Sequence, residues 1–507
     1  MRPDPVLMPA RQDPPDPVVA SAVEAVGGPA GAHARLDRSR FWTPVRWLVL
    51  LTLLTSLLGF WQKSPCRYHP WTDQYQYTRA CYTDVYALYF AERLDAGALP
   101  YLEHPVEYPV LVGGVMAVAA AGAGLFPEQD RAARFYDLTW ALVTAAALVV
   151  VVTTARLAGR RPWDAALFAL APLLVLHGTT NWDLPAMALA GAGLLAWARR
   201  RPLLAGVLLG LATATKLYPA LFLVPLGLLC LRAGRLRAFR TTAVATVLTP
   251  VLVTLPLYLA SPVFAAVAGE QVQVAGSPLS RLGTEGLAAL APHATVPTAD
   301  GGTVVGVNAT YRFVELNSTR PADWDSLWYA LQQVRGVALD TGLLPGEAPR
   351  LLNALVAVAL AAALVAVAVL VLRAPVRPRL PQVLFLVVLA FLLTNKVWSP
   401  QFSLWLVPLY ALAHPRWRPF LLWQAAEAVL LVLRFLFFVG NDAPGRGVPV
   451  EVFLTAVLVR DAVLLGLAAL VVRDVLQPER DVVRADGVDD PAGGVLDGAP
   501  DRRPVPG

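Results

Sequence analysis

The sequence predicts an all-α polytopic membrane protein, and three observations predict it. The chain is 56% hydrophobic and 15% charged, whereas soluble domains carry about 25% charged residues. Its mean hydropathy is +0.54. Long apolar runs alternate with short arginine clusters, as the preference for positive charge on the cytoplasmic side produces. The net charge of +6 therefore indicates membrane orientation, and nucleic acid is excluded as a partner.

Apolar runs define the predicted membrane helices. They lie at residues 44–61, 108–126, 135–158, 164–178, 182–198, 203–215, 218–231, 241–260, 351–373, 382–394, 402–413, 420–439 and 452–472. A crossing by residues 108–126 would put the GRRP cluster at 159–162 outside the cytoplasm, against the positive-inside rule. We therefore predict a juxtamembrane helix at 108–126, about 12 transmembrane helices and a cell-membrane location with both termini cytoplasmic.

The predicted organisation has five parts. They are a disordered cytoplasmic tail at 1–43, an N-terminal transmembrane module at 44–260 with an outer loop at 62–134, an outer loop at 261–350, a C-terminal transmembrane bundle at 351–472 and a disordered cytoplasmic tail at 473–507. Pro, Gly and charged residues dominate both tails, a composition typical of disorder. The aromatic and charged residues near 310–334 predict an ordered cap over a cavity.

Polar side chains gather at the predicted outer ends of the helices. They are Asp84, Glu107, Tyr108, Asn181, Asp183, Lys216, Asn395, Lys396 and Gln401. Carboxylates and lysines at this depth suit acid–base chemistry beside a phosphate-bearing lipid. Structural alternatives remain: a surface acid for Asp84, a turn-packing role for Glu107, a helix-dipole role for Asp183 and interfacial lysines whose stems lie along the membrane.

Lysine is unusually rare in this chain. Of 42 basic residues only Lys63, Lys216 and Lys396 are lysines, and the rest are arginines. A chain that uses arginine for general positive charge gives a mild indication that each remaining lysine supplies a compact ammonium group.

The order of the motifs resembles a known family. Asp84 lies in the aromatic segment CYTDVYALYF, and GALPY, EYP, NWDLPAMAL, GLATATKLYP and NKVWSPQF follow in that order. This order resembles polyprenyl-phosphate-sugar-dependent glycosyltransferases of the GT-C fold, and most closely the actinobacterial mannosyltransferase-like family GT87. The NWD run at 181–183 departs from the Gly-Gln-x-Asn run that many relatives carry.

The resemblance implies a function. It implies transfer of one sugar, expected to be mannose, from a polyprenyl phosphate to a lipid-linked or cell-envelope glycan acceptor on the outer face, with Asp84 as catalytic base. Cations that stabilise the leaving phosphate are expected among Lys216, Lys396, Arg312 and Arg320. Substrate contacts are expected from Glu107, Tyr108, Asn181, Asp183 and Gln401. A lipid monophosphate carries less charge than a nucleotide diphosphate, so we expect no required metal or other cofactor.

Two rival functions predict different features. A secondary transporter or lipid flippase is expected to show polar residues at mid-membrane and an internal repeat, and neither stands out in this sequence. A non-enzymatic membrane scaffold has no need of Asp84. A carboxylate that acts as a catalytic base, here Asp84, is therefore the feature that separates an enzyme from both rivals.

Two pairings are expected. Cys66 and Cys81 lie 15 residues apart in the first outer loop, and thiols outside the cytoplasm tend to oxidise, so a disulfide is expected there. Glu427 and Arg434 lie seven residues apart and hence on one helical face, where they are expected to neutralise each other.

Overall fold

The computed structural model describes residues 42–502 except 70, 268, 298–301, 341–347, 443–444 and 486. It is mostly helical, at 69%, with little sheet. The predicted N-terminal tail lies almost wholly outside the described residues. Its last residue, Thr43, caps the first helix by accepting a hydrogen bond from the backbone N–H of Arg46 at 3.4 Å.

Helices form every apolar run that the sequence predicts. In the N-terminal half they are α1 (Pro44–Lys63), α2 (Pro65–Tyr68), α3 (Tyr75–Thr78), α4 (Asp84–Ala91), α5 (Val110–Ala123), α6 (Arg131–Leu157), α7 (Ala166–Ala169), α8 (Pro172–His177), α9 (Asp183–Ala198), α10 (Pro202–Thr215), α11 (Leu223–Ala233) and α12 (Leu236–Ala260).

The C-terminal half begins with four strands and one intervening helix and continues with helices. These elements are β1 (Val263–Val267), β2 (Glu270–Ala275), α13 (Pro278–Glu285), β3 (His293–Pro297), β4 (Thr303–Asn308), α14 (Arg312–Thr319), α15 (Leu327–Arg335), α16 (Arg350–Arg373), α17 (Leu380–Thr394), α18 (Leu406–Ala413), α19 (Trp417–Asp442) and α20 (Val450–Leu476).

Six of the described helices are long and apolar enough to cross a membrane, namely α1, α6, α12, α16, α19 and α20. Several others are apolar but short: α5 and α10 have 14 residues, α17 has 15 and α9 has 16. At 1.5 Å per residue these helices are about 21–24 Å long, less than the roughly 30 Å of a hydrocarbon core. Their ends therefore require polar surroundings inside the protein.

The segment at 261–350 departs from the all-α prediction. It contains a four-stranded antiparallel sheet in the order β2-β1-β4-β3. In the strand sequence EQVQVA glutamine alternates with valine, which is the period of a β-strand. This alternation was available in the sequence, and the reading of 261–350 from its aromatic and charged residues missed it.

The segment predicted as a disordered C-terminal tail is also different. Helix α20 runs to Leu476, and residues 477–502 pack onto the ends of the helices, with Ala492 and Leu496 in the main hydrophobic core. The indole of Trp197 donates a hydrogen bond to the carbonyl of Gly493 at 2.8 Å. Amino-acid composition carries no information on which residues pair in the fold. It therefore predicted disorder for a segment whose aspartates have buried arginine partners.

Those partners come from three buried arginines near helix ends. Arg232 pairs with Asp501 at 2.6 Å, Arg377 with Asp489 at 2.8 Å and Arg379 with Asp481 at 2.7 Å. A buried ion pair is stable only when its remaining donors are also satisfied. We call these six residues, together with Asp490, the tail cluster. Asp490 belongs to it because its carboxylate accepts a hydrogen bond from the backbone N–H at the start of α17 at 2.7 Å.

Candidate active site

A cavity of about 640 Å³ lies where the short helices end. It falls in the 300–1,000 Å³ range of small-molecule sites. Its walls come from the segments at 77–108, 177–181, 216–218, 313–325, 391–405 and 431–438, and from Lys63. Helix α9 begins beside it at Asp183, α10 ends beside it at Thr215, and α17 ends beside it at Thr394. The short helices thus place their polar flanking residues around one space.

Asp84 lies in the wall of this cavity, at the first residue of α4. Thr83 caps α4, since its hydroxyl accepts a hydrogen bond from the N–H of Val85 at 3.2 Å and donates one to the carbonyl of Thr179 at 2.7 Å. The backbone N–H of Asp84 donates to the carbonyl of Thr180 at 2.9 Å. The start of α4 is therefore held against the segment that leads into α9.

A covalent link holds the residues before Asp84. Cys66 and Cys81 form a disulfide across a separation of 15 residues, the pair expected from the sequence. Cys81 is fully buried and lies three residues before Asp84. The bridge thus ties the segment that leads into α4 to the short helix α2 that follows α1.

The Asp84 carboxylate accepts two side-chain hydrogen bonds. The hydroxyl of Tyr82 donates to Oδ1 at 2.8 Å, and Nδ2 of Asn181 donates to Oδ2 at 2.7 Å. Burial raises the pKa of Asp84 above the usual range of aspartate, while the hydrogen bonds from Asn181 and Tyr82 act in the opposite direction. A positioned carboxylate with a raised pKa is a better proton acceptor than an exposed one.

Asn181 connects Asp84 to Lys216, and its amide is fully used by the protein. Nδ2 donates to Asp84 and to the hydroxyl of Tyr108 at 2.6 Å. Oδ1 accepts from the backbone N–H of Trp182 at 2.6 Å and from the Lys216 ammonium at 3.4 Å. An amide offers two donors and two acceptor lone pairs, so Asn181 has none left for a substrate. Its geometry fits a residue that orients Asp84, and differs from the substrate contact that the sequence predicted.

Lys216 lies between Asn181 and Asp183. Its ammonium is 3.6 Å from Oδ2 of Asp183 and 4.7 Å from the ring centre of Tyr108. Asp183 is 1% exposed, does not line the cavity, and accepts a hydrogen bond from the indole of Trp405 at 2.9 Å. Asp183 thus neutralises Lys216 from behind, while Lys216 itself lines the cavity.

Glu107 and Arg320 face each other across another part of the wall. Arg320 Nη2 is 3.8 Å from Oε2 of Glu107, and both residues line the cavity. Burial raises the pKa of Glu107, and the charge of Arg320 opposes that rise. Tyr108 is buried beside them, and Gln401 lines the cavity with 3% exposure. The structure therefore brings Asp84, Glu107, Tyr108, Asn181, Lys216, Arg320 and Gln401 together.

Two of the four cations predicted for a phosphate lie elsewhere. Arg312 does not line the cavity and pairs with Glu315 at 2.6 Å. Lys396 also lies outside the lining, because its ammonium donates to the carbonyls of Ser318 and Arg320 and to Oδ1 of Asn353 at 2.6–3.2 Å. Lys396 therefore fastens residues 318–320 to the end of α17, and this function differs from the predicted one.

The expected pairing of Glu427 with Arg434 is wrong. Arg434 makes a bidentate ion pair with Asp325, and Glu427 accepts a hydrogen bond from the indole of Trp423 at 3.0 Å. Seven residues of helix give one face but also about 10 Å of separation along the axis. A partner from the segment at 261–350, which sequence spacing does not reveal, reaches Arg434 more directly.

Lys63, His177 and Arg434 are among the cavity-lining residues that the sequence did not predict as site residues. All three are between 1% and 3% exposed. The scarcity of lysine was the available signal for Lys63, because every lysine of this chain is buried. Within the described residues, no group of three or more His, Cys, Asp or Glu side chains is arranged to hold a metal ion.

Residues 131–268 match the model of glycosyltransferase family 87. The resemblance to this family that the motifs indicated is confirmed for this segment. The matched segment begins at α6 and includes Asn181, Asp183 and Lys216, whereas Asp84, Glu107 and Gln401 lie outside it. No curated protein matches the chain. Family 87 and the apolar helices together indicate a membrane glycosyltransferase, which acts on a sugar donor and an acceptor.

Proposed function

We propose that this protein transfers one hexose, mannose in the first instance, from a polyprenyl phosphate to a lipid-linked or glycan acceptor on the outer face of the cell membrane. The observation that supports the proposal most is the position of Asp84. It is a buried carboxylate with a raised pKa, held by two side-chain donors in the wall of a cavity that has both cationic and apolar surfaces.

The proposed reaction is a single displacement at the anomeric carbon of the donor sugar. The acceptor hydroxyl attacks that carbon while Asp84 takes the hydroxyl proton. The bond between the anomeric carbon and the phosphate oxygen breaks, and the polyprenyl phosphate leaves with the bonding electron pair. An unactivated hydroxyl is a weak nucleophile at neutral pH, so proton transfer to a positioned base lowers the barrier. Cations of the cavity stabilise the departing phosphate.

The apolar walls fit a prenyl chain. Aromatic and aliphatic side chains line a large part of the cavity, among them Phe313, Leu316, Trp398, Phe402, Leu431, Phe435 and Phe438. A soluble sugar nucleotide has no use for such a wall, whereas a polyprenyl phosphate buries its chain against it. We assign the segment at 261–350 to the acceptor side, because its residues 313–325 form part of the wall near Glu107.

A transfer assay tests the proposal. Purified full-length protein in detergent is incubated with labelled polyprenyl-phosphate mannose and a panel of membrane lipids and glycans extracted from the native host. We expect a labelled product from the lipid-linked donor and none from GDP-mannose. A labelled product from polyprenyl-phosphate glucose, with none from the mannose donor, would change the sugar but keep the reaction class. Absence of any transfer by well-folded protein, with donor moved across a vesicle bilayer instead, would favour a flippase.

A further inference from the structure

One corner of the cavity holds hydrogen-bond donors that the described residues leave unused. It is formed by Lys63 from α1, His177 from α8 and Arg434 from α19, where the charges of Lys63 and Arg434 act on each other and on His177. Neither ring nitrogen of His177 has a hydrogen-bond partner among the described residues, and Nη1 of Arg434 has none either. The Lys63 ammonium, with three N–H groups, donates to the carbonyl of Tyr82 at 2.8 Å. We call these three residues the open corner.

Buried hydrogen-bond donors without partners lower the stability of a folded protein, and native proteins contain few such groups. Ion pairing is possible in the open corner, because the other two nitrogens of Arg434 form a bidentate pair with Asp325. That pair fixes the guanidinium plane and leaves Nη1 in the cavity wall. Several unused groups in one corner indicate that an acceptor-rich ligand completes it.

An acceptor-rich ligand that carries negative charge would pair with the cation that the cavity leaves without a carboxylate. Three of the four cations of the cavity each face a carboxylate: Lys216 with Asp183, Arg320 with Glu107 and Arg434 with Asp325. Lys63 has no carboxylate within 4.0 Å among the described residues. The charge of Asp84 acts on Lys63 from farther away, and that carboxylate already accepts from Tyr82 and Asn181. Among the described residues, Lys63 is therefore the cation of these four without a carboxylate partner, in a cavity that Asp84 and Asp323 also line.

The surroundings of the open corner indicate what the anion is attached to. Leu431, Phe435 and Phe438 line the cavity and follow one another at intervals of four and three residues on α19, and Leu431 and Phe438 lie three and four residues from Arg434. Helical residues at this spacing share one face, so an apolar strip continues directly from the guanidinium. An inorganic anion has no use for such a strip, whereas a lipid phosphate places its head at the donors and its chain along the strip.

We propose that the open corner binds the phosphate group of a lipid-phosphate substrate. This proposal rests on the proposed glycosyltransfer in the same cavity, and it moves the phosphate away from Lys216, Lys396 and Arg312. Lys216 then serves Asn181 and the base, while Lys63 and His177 donate to the phosphate oxygens. The phosphate belongs either to the polyprenyl donor or to a phospholipid acceptor, since both present the same head-group chemistry.

A binding experiment on full-length protein in detergent tests the assignment without turnover. Native mass spectrometry compares farnesyl phosphate, farnesol and dioctanoyl phosphatidic acid, so that chain and head group are separated. We expect the wild type to bind farnesyl phosphate at least about 10-fold more tightly than farnesol, as charge-assisted hydrogen bonds allow. Lys63→Met keeps the length of the side chain and His177→Phe keeps a ring, and each should remove most of this preference.

Controls separate a lost site from a lost fold. Farnesol binding checks that each variant keeps the apolar wall, and a thermal transition checks folding. Arg335→Met removes an exposed cation of α15 outside the cavity lining and should leave the phosphate preference intact. Lys63→Gln repeats the test with a polar side chain if the methionine variant fails to fold.

The pattern of results decides the source of the phosphate. Loss confined to farnesyl phosphate supports a donor subsite, and loss confined to phosphatidic acid supports a lipid-acceptor subsite. Retained preference in Lys63→Met and His177→Phe, with farnesol bound normally, would overturn the proposal, as would a wild type that binds farnesol and farnesyl phosphate equally. A phosphate preference without any sugar transfer would leave the subsite standing and reject the glycosyltransferase proposal.

Discussion

The tail cluster and the cavity both contain buried charged residues, but they use them differently. In the tail cluster, Arg379 donates to both oxygens of Asp481 and to the carbonyls of Leu412 and Ala413, at 2.7–3.0 Å. Every nitrogen of that guanidinium therefore has a partner. In the cavity, His177 has no side-chain partner, and Arg434 keeps one nitrogen free among the described residues.

This difference separates structural charge from functional charge. Helix α9 begins beside the cavity and ends beside the tail cluster, about 24 Å away along its axis. At one end the buried charges are saturated, as stability requires of buried ions. At the other end they are left incomplete, as expected where a ligand supplies the missing partners.

The largest effect should come from breaking the tail cluster. Asp481→Asn removes the carboxylate that pairs with Arg379, and the two side chains are buried, at 2% and 1% exposed. Removing one partner of a buried pair costs about 3–5 kcal/mol, so the thermal transition of the purified protein should fall by many degrees. Glu479→Gln alters an exposed acid of the same segment and should leave the transition in place. An unchanged transition in Asp481→Asn would mean that the segment at 477–502 contributes little to stability.

The disulfide of the first loop sharpens the comparison, because this loop is restrained covalently whereas the tail segment is restrained by ions. A loop closed across 15 residues is worth about 3 kcal/mol in the chain-entropy model. The double variant Cys66→Ser, Cys81→Ser should lower the free energy of unfolding by up to that amount. When the denatured wild-type protein is alkylated, its intact mass should show one adduct, from Cys230. When it is reduced before alkylation, its mass should show three adducts. Three adducts without reduction would contradict the bridge.

A change at the proposed base should affect catalysis and leave stability in place. Asp84→Asn keeps the shape of the side chain but removes the proton acceptor, so transfer should fall by about 10²-fold or more. The thermal transition should stay near that of the wild type. Asp95→Asn changes an exposed acid of the same loop and should retain full transfer. Near-normal transfer by Asp84→Asn would reject the base assignment and with it the contrast between the two regions.

Prediction from sequence was most accurate where a residue type has one common structural role. Apolar runs gave the helices, and two nearby cysteines gave the pair that the structure bonds. Prediction from sequence failed where the role of a charged residue depends on the partner that the fold brings to it. Lysine scarcity indicated that Lys396 supplies a compact ammonium group, and we expected it to bind a phosphate, yet the ammonium donates to Asn353 and two carbonyls. The composition of the C-terminal segment predicted disorder, because only the fold brings Arg232, Arg377 and Arg379 to its aspartates.

The smallest effect concerns the pH profile of transfer. Burial raises the pKa of Asp84, and the hydrogen bond from Tyr82 holds it partly down by stabilising the charged carboxylate. Tyr82→Phe removes that bond, so the pKa should rise further. Because the base acts only when deprotonated, the acidic limb of the rate profile should move to higher pH. The rate at high pH, where Asp84 is ionised in both proteins, should change little.

Tyr86→Phe is the matched control for that shift. Tyr86 lies on α4 and stacks on Trp71 at 5.2 Å, and its hydroxyl makes no hydrogen bond to Asp84 in the described structure. Its acidic limb should therefore stay in place. A limb that moves to lower pH in Tyr82→Phe would mean that the hydroxyl stabilises the protonated acid, which contradicts a donor that points at a carboxylate oxygen 2.8 Å away. A limb unmoved in both variants would assign the observed ionisation to another group, and Glu107, whose pKa burial also raises, would be the next residue to replace.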